Sequence, residues 1–204
     1  MFGPKEIAQD EIFLGEFVGK RIRDLKALFS HRQIEIISHF DVTPSVYMPP
    51  DVLRKTVDGL IKNAVENTPD EGKVEVTVRT HGEGSELVVC DYGVGITEEN
   101  RGRIFEGFIT TQGTEDYSSK RPFDFNAGGK GADLLRMKIF SERFNFRIQM
   151  ASLRCQFIPK AGDVCPGRIS DCHYCMKKED CHLSGWTTFS INFPAVSERG
   201  MQSG

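Results

Sequence analysis

Four cysteines fall within a short stretch, as Cys165-x6-Cys172-x2-Cys175-x5-Cys181. Cys172-x-x-Cys175 has the spacing of a chelating knuckle, and Cys165 and Cys181 complete a four-sulfur set. Tetrahedral zinc is one outcome of such a set and a four-iron, four-sulfur cluster is another. Four reduced thiols in a flexible loop are the third. Cys90 and Cys155 stand apart, while His173 and His182 sit beside the ligands. A different chemistry is suggested elsewhere. Asn63 offers a hard neutral oxygen suited to Mg²⁺. Asp91 begins Asp91-Tyr92-Gly93-Val94-Gly95-Ile96. An ionised carboxylate only accepts hydrogen bonds, so it can receive the exocyclic amine of adenine. Gly93 and Gly95 let the backbone turn tightly beneath a flat base. Gly128-Gly129-Lys130-Gly131 enters a helix, where free backbone N–H groups and Lys130 suit phosphate.

These groups must be held by elements that the apolar spacing reveals. Residues 11–29 carry Leu14, Phe17, Val18, Leu25, Leu28 and Phe29 on one helical stripe. Gln33–Ile37 reads as a strand. Pro49 and Pro50 break the chain, and Asp51 is placed to cap a helix running through Leu53, Val57, Leu60, Ile61 and Ala64. That helix carries Asn63. Val74, Val76 and Val78 alternate with polar residues, predicting a half-buried strand, and Leu87–Cys90 is an apolar strand ending at Asp91. A short helix follows Thr97, residues 110–130 read as a loop, and 131–143 as a helix. Phe144–Leu153 and Trp186–Phe193 read as strands, with 155–184 inserted between them. Helices and strands mix without a strict βαβ repeat, so the expected fold class is α+β, a two-layer sandwich with helices on one face of a mixed sheet.

Composition narrows the function. The 204 residues carry 26 basic and 29 acidic side chains, for a net charge of −3. That balance gives no broad basic surface, so a nucleic-acid partner is not expected. No apolar run approaches the roughly 20 residues of a membrane span. The N-terminus lacks the apolar core of a signal peptide, so the expected location is cytoplasmic. In such a chain clustered cysteines point to metal before disulfides.

Taken together and in order, the segments resemble the GHKL ATPase superfamily, with its Bergerat-type fold, and within it the ATP-binding catalytic domain of sensor histidine kinases. Gly59-Leu60-Ile61-Lys62-Asn63-Ala64 resembles the N box, and Asp91–Ile96 the first glycine box. Arg103-Ile104-Phe105-Glu106-Gly107-Phe108-Ile109-Thr110-Thr111 resembles the F box. Gly128–Leu134 resembles the second glycine box, and Gly185-Trp186-Thr187-Thr188-Phe189 the final box. The resemblance implies one domain over 10–195, with the Cys-rich segment 155–184 inserted in its final β-hairpin. It implies Asn63 on Mg²⁺ as the catalytic residue and Asp91 on adenine N6, with Gly93 and Gly95 shaping the base pocket. Gly129, Lys130 and Gly131 would meet the phosphates under a lid formed by 109–128, and Thr187 or Thr188 would lie beside Asp91. Position 59 is Gly where such kinases often carry Asn or His. Asp133 stands where a further Gly is usual, and Glu66 and Asn67 replace a basic and an aromatic residue.

The superfamily's efficient ATPases use a Glu four residues before the metal-binding Asn as general base. Here that position is Gly59, and Asp58 points about 100° away around the helix. The implied function is therefore that of a histidine-kinase catalytic domain in two-component signalling. It would donate the ATP γ-phosphate to a histidine on a separate or deleted phosphoacceptor domain. A nucleotide-binding sensor module, or an ATPase, without kinase activity is the alternative. Neither His31 nor His39 has the context of a phosphoacceptor, which is a His followed by an acidic residue on a long helix.

Overall fold

A computed structural model describes residues 8–105, 121–127, 132–160 and 162–195. Five strands form one sheet in the order β2 (Glu35–Phe40), β4 (Lys73–His81), β5 (Gly84–Asp91), β7 (Trp186–Phe193), β6 (Arg147–Leu153). Only β2 and β4 run parallel; the other neighbours are antiparallel. Two short strands, β1 (Asp10–Ile12) and β3 (Val46–Met48), pair separately. Helices α1 (Leu14–Lys26), α2 (Pro50–Asn67) and α4 (Ala132–Phe144) pack with the sheet, while α3 (Glu98–Arg101) and α5 (Lys178–Ser184) are short. This is the two-layer α+β sandwich that the pattern implied.

The alternation in β4 buries Val74, Val76 and Val78, and that in β7 buries Thr187, Phe189, Ile191 and Phe193. Both strands turn these residues toward α2, whose Leu53, Val57, Leu60, Ile61, Ala64 and Val65 are buried. Burying an aliphatic side chain of this size contributes about 1.5–3 kcal/mol, so this seam dominates the stability.

Three expectations shift. Asp51 does not cap α2. Pro50 takes the first helical position, where its missing N–H costs nothing, and Asp51 lies in the first turn, paired with Arg54 and Lys55. Helix α1 stops at Lys26, which leaves Leu28 exposed while Phe29 is buried. The strand expected at Gln33–Ile37 begins at Glu35 and continues to Phe40. Strands β1 and β3 were too short for alternation to reveal. Among the described residues no helix is long and apolar enough to cross a membrane.

Candidate nucleotide site

Strand β5 ends at Asp91, directly opposite Thr187 on β7. Asp91 is buried, and among the described residues its Oδ1 has no hydrogen-bond partner. Burial drives its carboxyl well above the ordinary carboxylate range, against the pull of the backbone N–H groups of Gly93 and Thr187. A buried oxygen without a donor is costly, so this one is suited to a donor from outside the chain.

The loop after Asp91 leaves no room for side chains. A Cβ on Gly93 would collide with the carbonyl oxygen of Asn67, the last residue of α2. Gly95 has φ +64°, and a Cβ there would collide with the carbonyl of Leu153 at the end of β6. Val94 N–H donates to Asn67 O at 3.3 Å, and Ile96 N–H to Ser152 Oγ at 2.9 Å. The Ser152 hydroxyl donates to Trp186 O at 2.9 Å and lies 3.0 Å from Thr187 Oγ1. Thr187 therefore shares the buried network with Asp91; Thr188 lies on the opposite face of β7, opposite Cys90. Ser152 escaped the sequence reading because a lone Ser in a strand carries no signal.

Asn63 is half-buried one turn before the end of α2, and its carbonyl accepts from Asn67 Nδ2 at 2.8 Å. The same helix end thus carries Asn63 and touches the first glycine box. Gly59 is where α4 crosses: a Cβ there would meet Met137 Cε at 3.1 Å and Asp133 Cβ at 3.6 Å. Asp58 faces away and accepts from Arg21 at 2.7 and 2.9 Å. Asp133 is neutralised locally by Lys62 at 3.4 Å and Arg136 at 3.3 Å.

Glu66 is buried. Its Oε1 accepts from Phe123 N–H at 3.0 Å, Oε2 has no partner among the described residues, and burial raises its pKa. Arg32 was not flagged by the sequence. Its buried guanidinium donates to Asp70 Oδ1 at 2.7 Å and to the carbonyls of Val65, Thr68 and Phe123 at 3.3, 2.8 and 2.6 Å. It ties the end of α2 to segment 121–127, beside His31–Asp124 at 2.7 Å. Gly129, Lys130 and Gly131, residues 106–111 of the F box, and the expected lid other than 121–127 lie outside the described residues.

Residues 154–185 join β6 to β7, whose ends pair at Leu153 and Trp186. Cys165, Cys172, Cys175 and Cys181 line one cavity of about 290 Å³, together with Cys155, His173 and Tyr174. Among the described residues no group of three or more His, Cys, Asp or Glu side chains is placed to hold a metal ion. Burial raises the pKa of Cys165 and Cys175 and pushes Cys181 up to about 11, with neighbouring thiols adding to each. All six cysteines are free thiols. The Phe157 and Tyr174 rings stack 5.3 Å apart over this region. Asp70 N–H donates to Gly167 O at 2.8 Å, Ile169 N–H to Asp70 O at 3.1 Å, and Arg168 pairs with Glu71 at 2.9 Å. The insertion is therefore pinned to the body beyond its two ends.

A buried carboxylate, two glycines that backbone presses closed and a helix end bearing Asn63, all at one edge of an α+β sandwich, define a nucleotide-binding class. The chain belongs to the family of histidine kinase-, DNA gyrase B- and HSP90-like ATPases, whose model matches residues 48–197. The adaptive-response sensory kinase SasA of Crocosphaera subtropica is 31% identical over 119 residues, covering 55% of this chain and 31% of that protein. The phosphate regulon sensor protein PhoR of Pseudomonas aeruginosa is 29% identical over 145 residues, covering 67% and 30%. The chain thus spans about a third of the length of these relatives. The fold matches the mycobacterial sensor histidine kinase MprB with a TM-score of 0.61 at 17% identity, covering 92% of this chain and 99% of that one. It also matches the catalytic domain of histidine kinase ThkA, with a TM-score of 0.61 at 16% identity over 91% and 95%.

Proposed function

We propose that residues 10–195 are the ATP-binding catalytic domain of a protein-histidine kinase, working in the cytoplasm in two-component signalling. The observation that carries this reading is the buried, unpartnered Oδ1 of Asp91 above a loop where Gly93 and Gly95 admit no side chain. That oxygen accepts the adenine amine, and Thr187 and Ser152 hold the carboxylate's surroundings in place. Asn63 supplies a neutral oxygen for Mg²⁺, a donor type the ion accepts. Gly129, Lys130 and Gly131 take the phosphates, as the family resemblance implies. Mg²⁺, when bound with ATP, neutralises phosphate charge.

Phosphoryl transfer needs positioning and charge neutralisation more than a base on this domain. A histidine on a phosphoacceptor domain, in the same full-length protein or another chain, attacks the γ-phosphorus, and ADP leaves. Gly59, at the position where the superfamily's ATPases carry their Glu, supplies no general base, which favours this over hydrolysis. The test is phosphotransfer from labelled Mg·ATP to a histidine-containing phosphoacceptor domain. Phosphohistidine that disappears with Asn63→Ala supports the kinase. Nucleotide binding without phosphohistidine supports the nucleotide-binding sensor module instead. That second reading draws on Glu66, a buried acid where such kinases carry a basic residue.

Cys165, Cys172, Cys175 and Cys181 hold a thiophilic centre, Zn²⁺ or a four-iron cluster. The convergence of the four thiols on one cavity supports this. Metal analysis and an absorption spectrum of protein purified without oxygen separate the two.

A further inference from the structure

Three departures from the kinase sequence pattern meet at one place. Gly59, Glu66 and Asp133 stand where such kinases often carry Asn or His, a basic residue and Gly. Gly59, Lys62 and Glu66 follow one another at helical spacing along one side of α2. Helix α4 crosses that side, and a Cβ on Gly59 would stand 3.6 Å from Asp133 Cβ. With no side chain at 59, the first turn of α4 comes near enough for Asp133 Oδ2 to lie 3.4 Å from Lys62 Nζ. Glu66 Oε1, one turn further along α2, lies 3.9 Å from the same ammonium. The glycine admits the acid, and the two acids flank the lysine.

The acids steer this ammonium without consuming it. Charge-assisted N–H···O bonds run to about 2.7–2.9 Å, as from Arg32 to Asp70 at 2.7 Å. Neither contact of Lys62 is that short. Glu66 Oε1 has its closer partner in the Phe123 amide at 3.0 Å, and Asp133 Oδ1 is met by Arg136 Nη1 at 3.3 Å. An ammonium has three donors and no acceptor, so Lys62 has capacity for a stronger acceptor. Its side chain is 27% exposed, which leaves it reachable by a ligand.

Position decides what that acceptor is. Lys62 directly precedes Asn63 on α2. Asp133 lies in the first turn of α4, the helix entered through Gly128–Gly131. The ammonium therefore stands between the Mg²⁺ residue and a helix start suited to anions. Where a kinase of this type carries its basic side chain at position 66, this chain has Glu66, with the Lys62 ammonium brought beside it from one turn earlier.

We propose that Lys62 is a phosphate-binding residue of the nucleotide site, donating to the polyphosphate of Mg·ATP, and that Glu66 and Asp133 are the positioning residues that aim it. This rests on the ATP reading given under Proposed function. Without phosphate the ammonium balances the two carboxylates. With phosphate a non-bridging oxygen takes one of its donors, and Arg136 remains to neutralise Asp133. The acids at 66 and 133 then hold a cation for the nucleotide, and the positive charge of the site is kept while its origin moves by one helical turn.

The experiment uses the full chain and two ligands, Mg·ATP followed by calorimetry and adenosine followed by NMR at millimolar concentration. Lys62→Met is expected to weaken Mg·ATP by about 10- to 100-fold, the loss of one hydrogen bond to a charged group. The same variant is expected to bind adenosine, which has no phosphate, as the wild type does. Lys62→Arg keeps the charge and is expected to recover most of the Mg·ATP affinity. Unchanged Mg·ATP affinity in Lys62→Met overturns the proposal. An equal loss of Mg·ATP and adenosine also overturns it, because it marks a structural role. Where the wild type holds adenosine too weakly to measure, the rescue decides: a folded Lys62→Arg as weak for Mg·ATP as Lys62→Met overturns the phosphate contact. A wild type that binds neither ligand overturns the nucleotide reading itself, and the role of Lys62 with it.

Discussion

Asp91 and Thr187 face one another across β5 and β7, and Thr187 is joined through its hydroxyl to Ser152 on β6. Three adjacent strands thereby converge on one buried carboxylate. Among the described residues none donates to its Oδ1.

Asp91→Asn is expected to stabilise the free domain while weakening nucleotide. Folded-state burial raises the Asp91 pKa above its ordinary 3.8, so protonation favours the fold. Stability from this group is present below that value and is lost as pH rises through the raised folded-state pKa. The amide carries no charge, so the variant's advantage should grow with pH and then level off. At neutral pH a gain of about 1 kcal/mol would raise Tm by about 2–4 °C in a domain this size. ATP should bind more weakly by about 1.5–3 kcal/mol, the range for a hydrogen bond to a charged group. Thermal melts against pH, paired with calorimetry, check both signs; equal ATP affinity would remove Asp91 from base binding.

Gly59→Glu is expected not to create an ATPase. A Cβ there would stand 3.1 Å from Met137 Cε and 3.6 Å from Asp133 Cβ, so a longer side chain must displace these side chains of α4. Overpacking of this kind costs about 1–3 kcal/mol. The wild type should show negligible steady-state hydrolysis, and the variant should melt earlier with no gain in turnover. Hydrolysis near the ordinary enzyme range of about 1–10³ s⁻¹ in the wild type, abolished by Asn63→Ala, would reassign the domain as an ATPase.

Ser152→Ala should loosen the glycine box. It leaves Ile96 N–H and Trp186 O without the partner they share. The expected cost is about 1–3 kcal/mol of stability. ATP affinity should fall too, because Ile96 ends the loop that carries Gly93 and Gly95. Denaturant melts and calorimetry on the same preparation test this; unaltered binding would show that the loop keeps its shape without Ser152.

Arg32→Met should be among the most damaging changes remote from the glycine box. It strips partners from three carbonyls and leaves Asp70 facing Gln33 N–H alone at 3.2 Å. Arg32 is buried but Asp70 is partly exposed, so the expected cost is the roughly 1–3 kcal/mol of leaving buried carbonyls unpaired. Urea denaturation reads the loss directly, and a change below about 1 kcal/mol would contradict the role given to Arg32.

Much of this molecule is legible from periodicity. Val74, Val76 and Val78, and Phe189, Ile191 and Phe193, reveal their strands because one face is dry and the other wet. Leu53 through Ala64 reveal α2 for the same reason at helical spacing. The first glycine box was readable because the close backbone approach at Gly93 and Gly95 tolerates one residue type. What stayed hidden depends on distant partners. Arg32 looks like any surface arginine until residues 65, 68, 70 and 123 close round it. Ser152 likewise acquires its role only when β6, β7 and the glycine box meet. Asp51 failed as a cap for a local reason: Pro50 already fits the helix start, which moves the acid into the first turn.

The guanidinium of Arg32 also has a bearing on folding. It bonds to carbonyls 33, 36 and 91 residues away in sequence. Contacts of such separation form only after large loops have closed, so they come late and slow the assembly of the chain. The last turn of α2, which carries Glu66 and abuts the glycine box, is therefore finished only when segment 121–127 has docked. Opening of that segment breaks the Arg32 bond to Phe123 O and the Phe123 N–H bond to Glu66 together. Arg32 thus couples the closing of the last turn of α2 to the docking of segment 121–127.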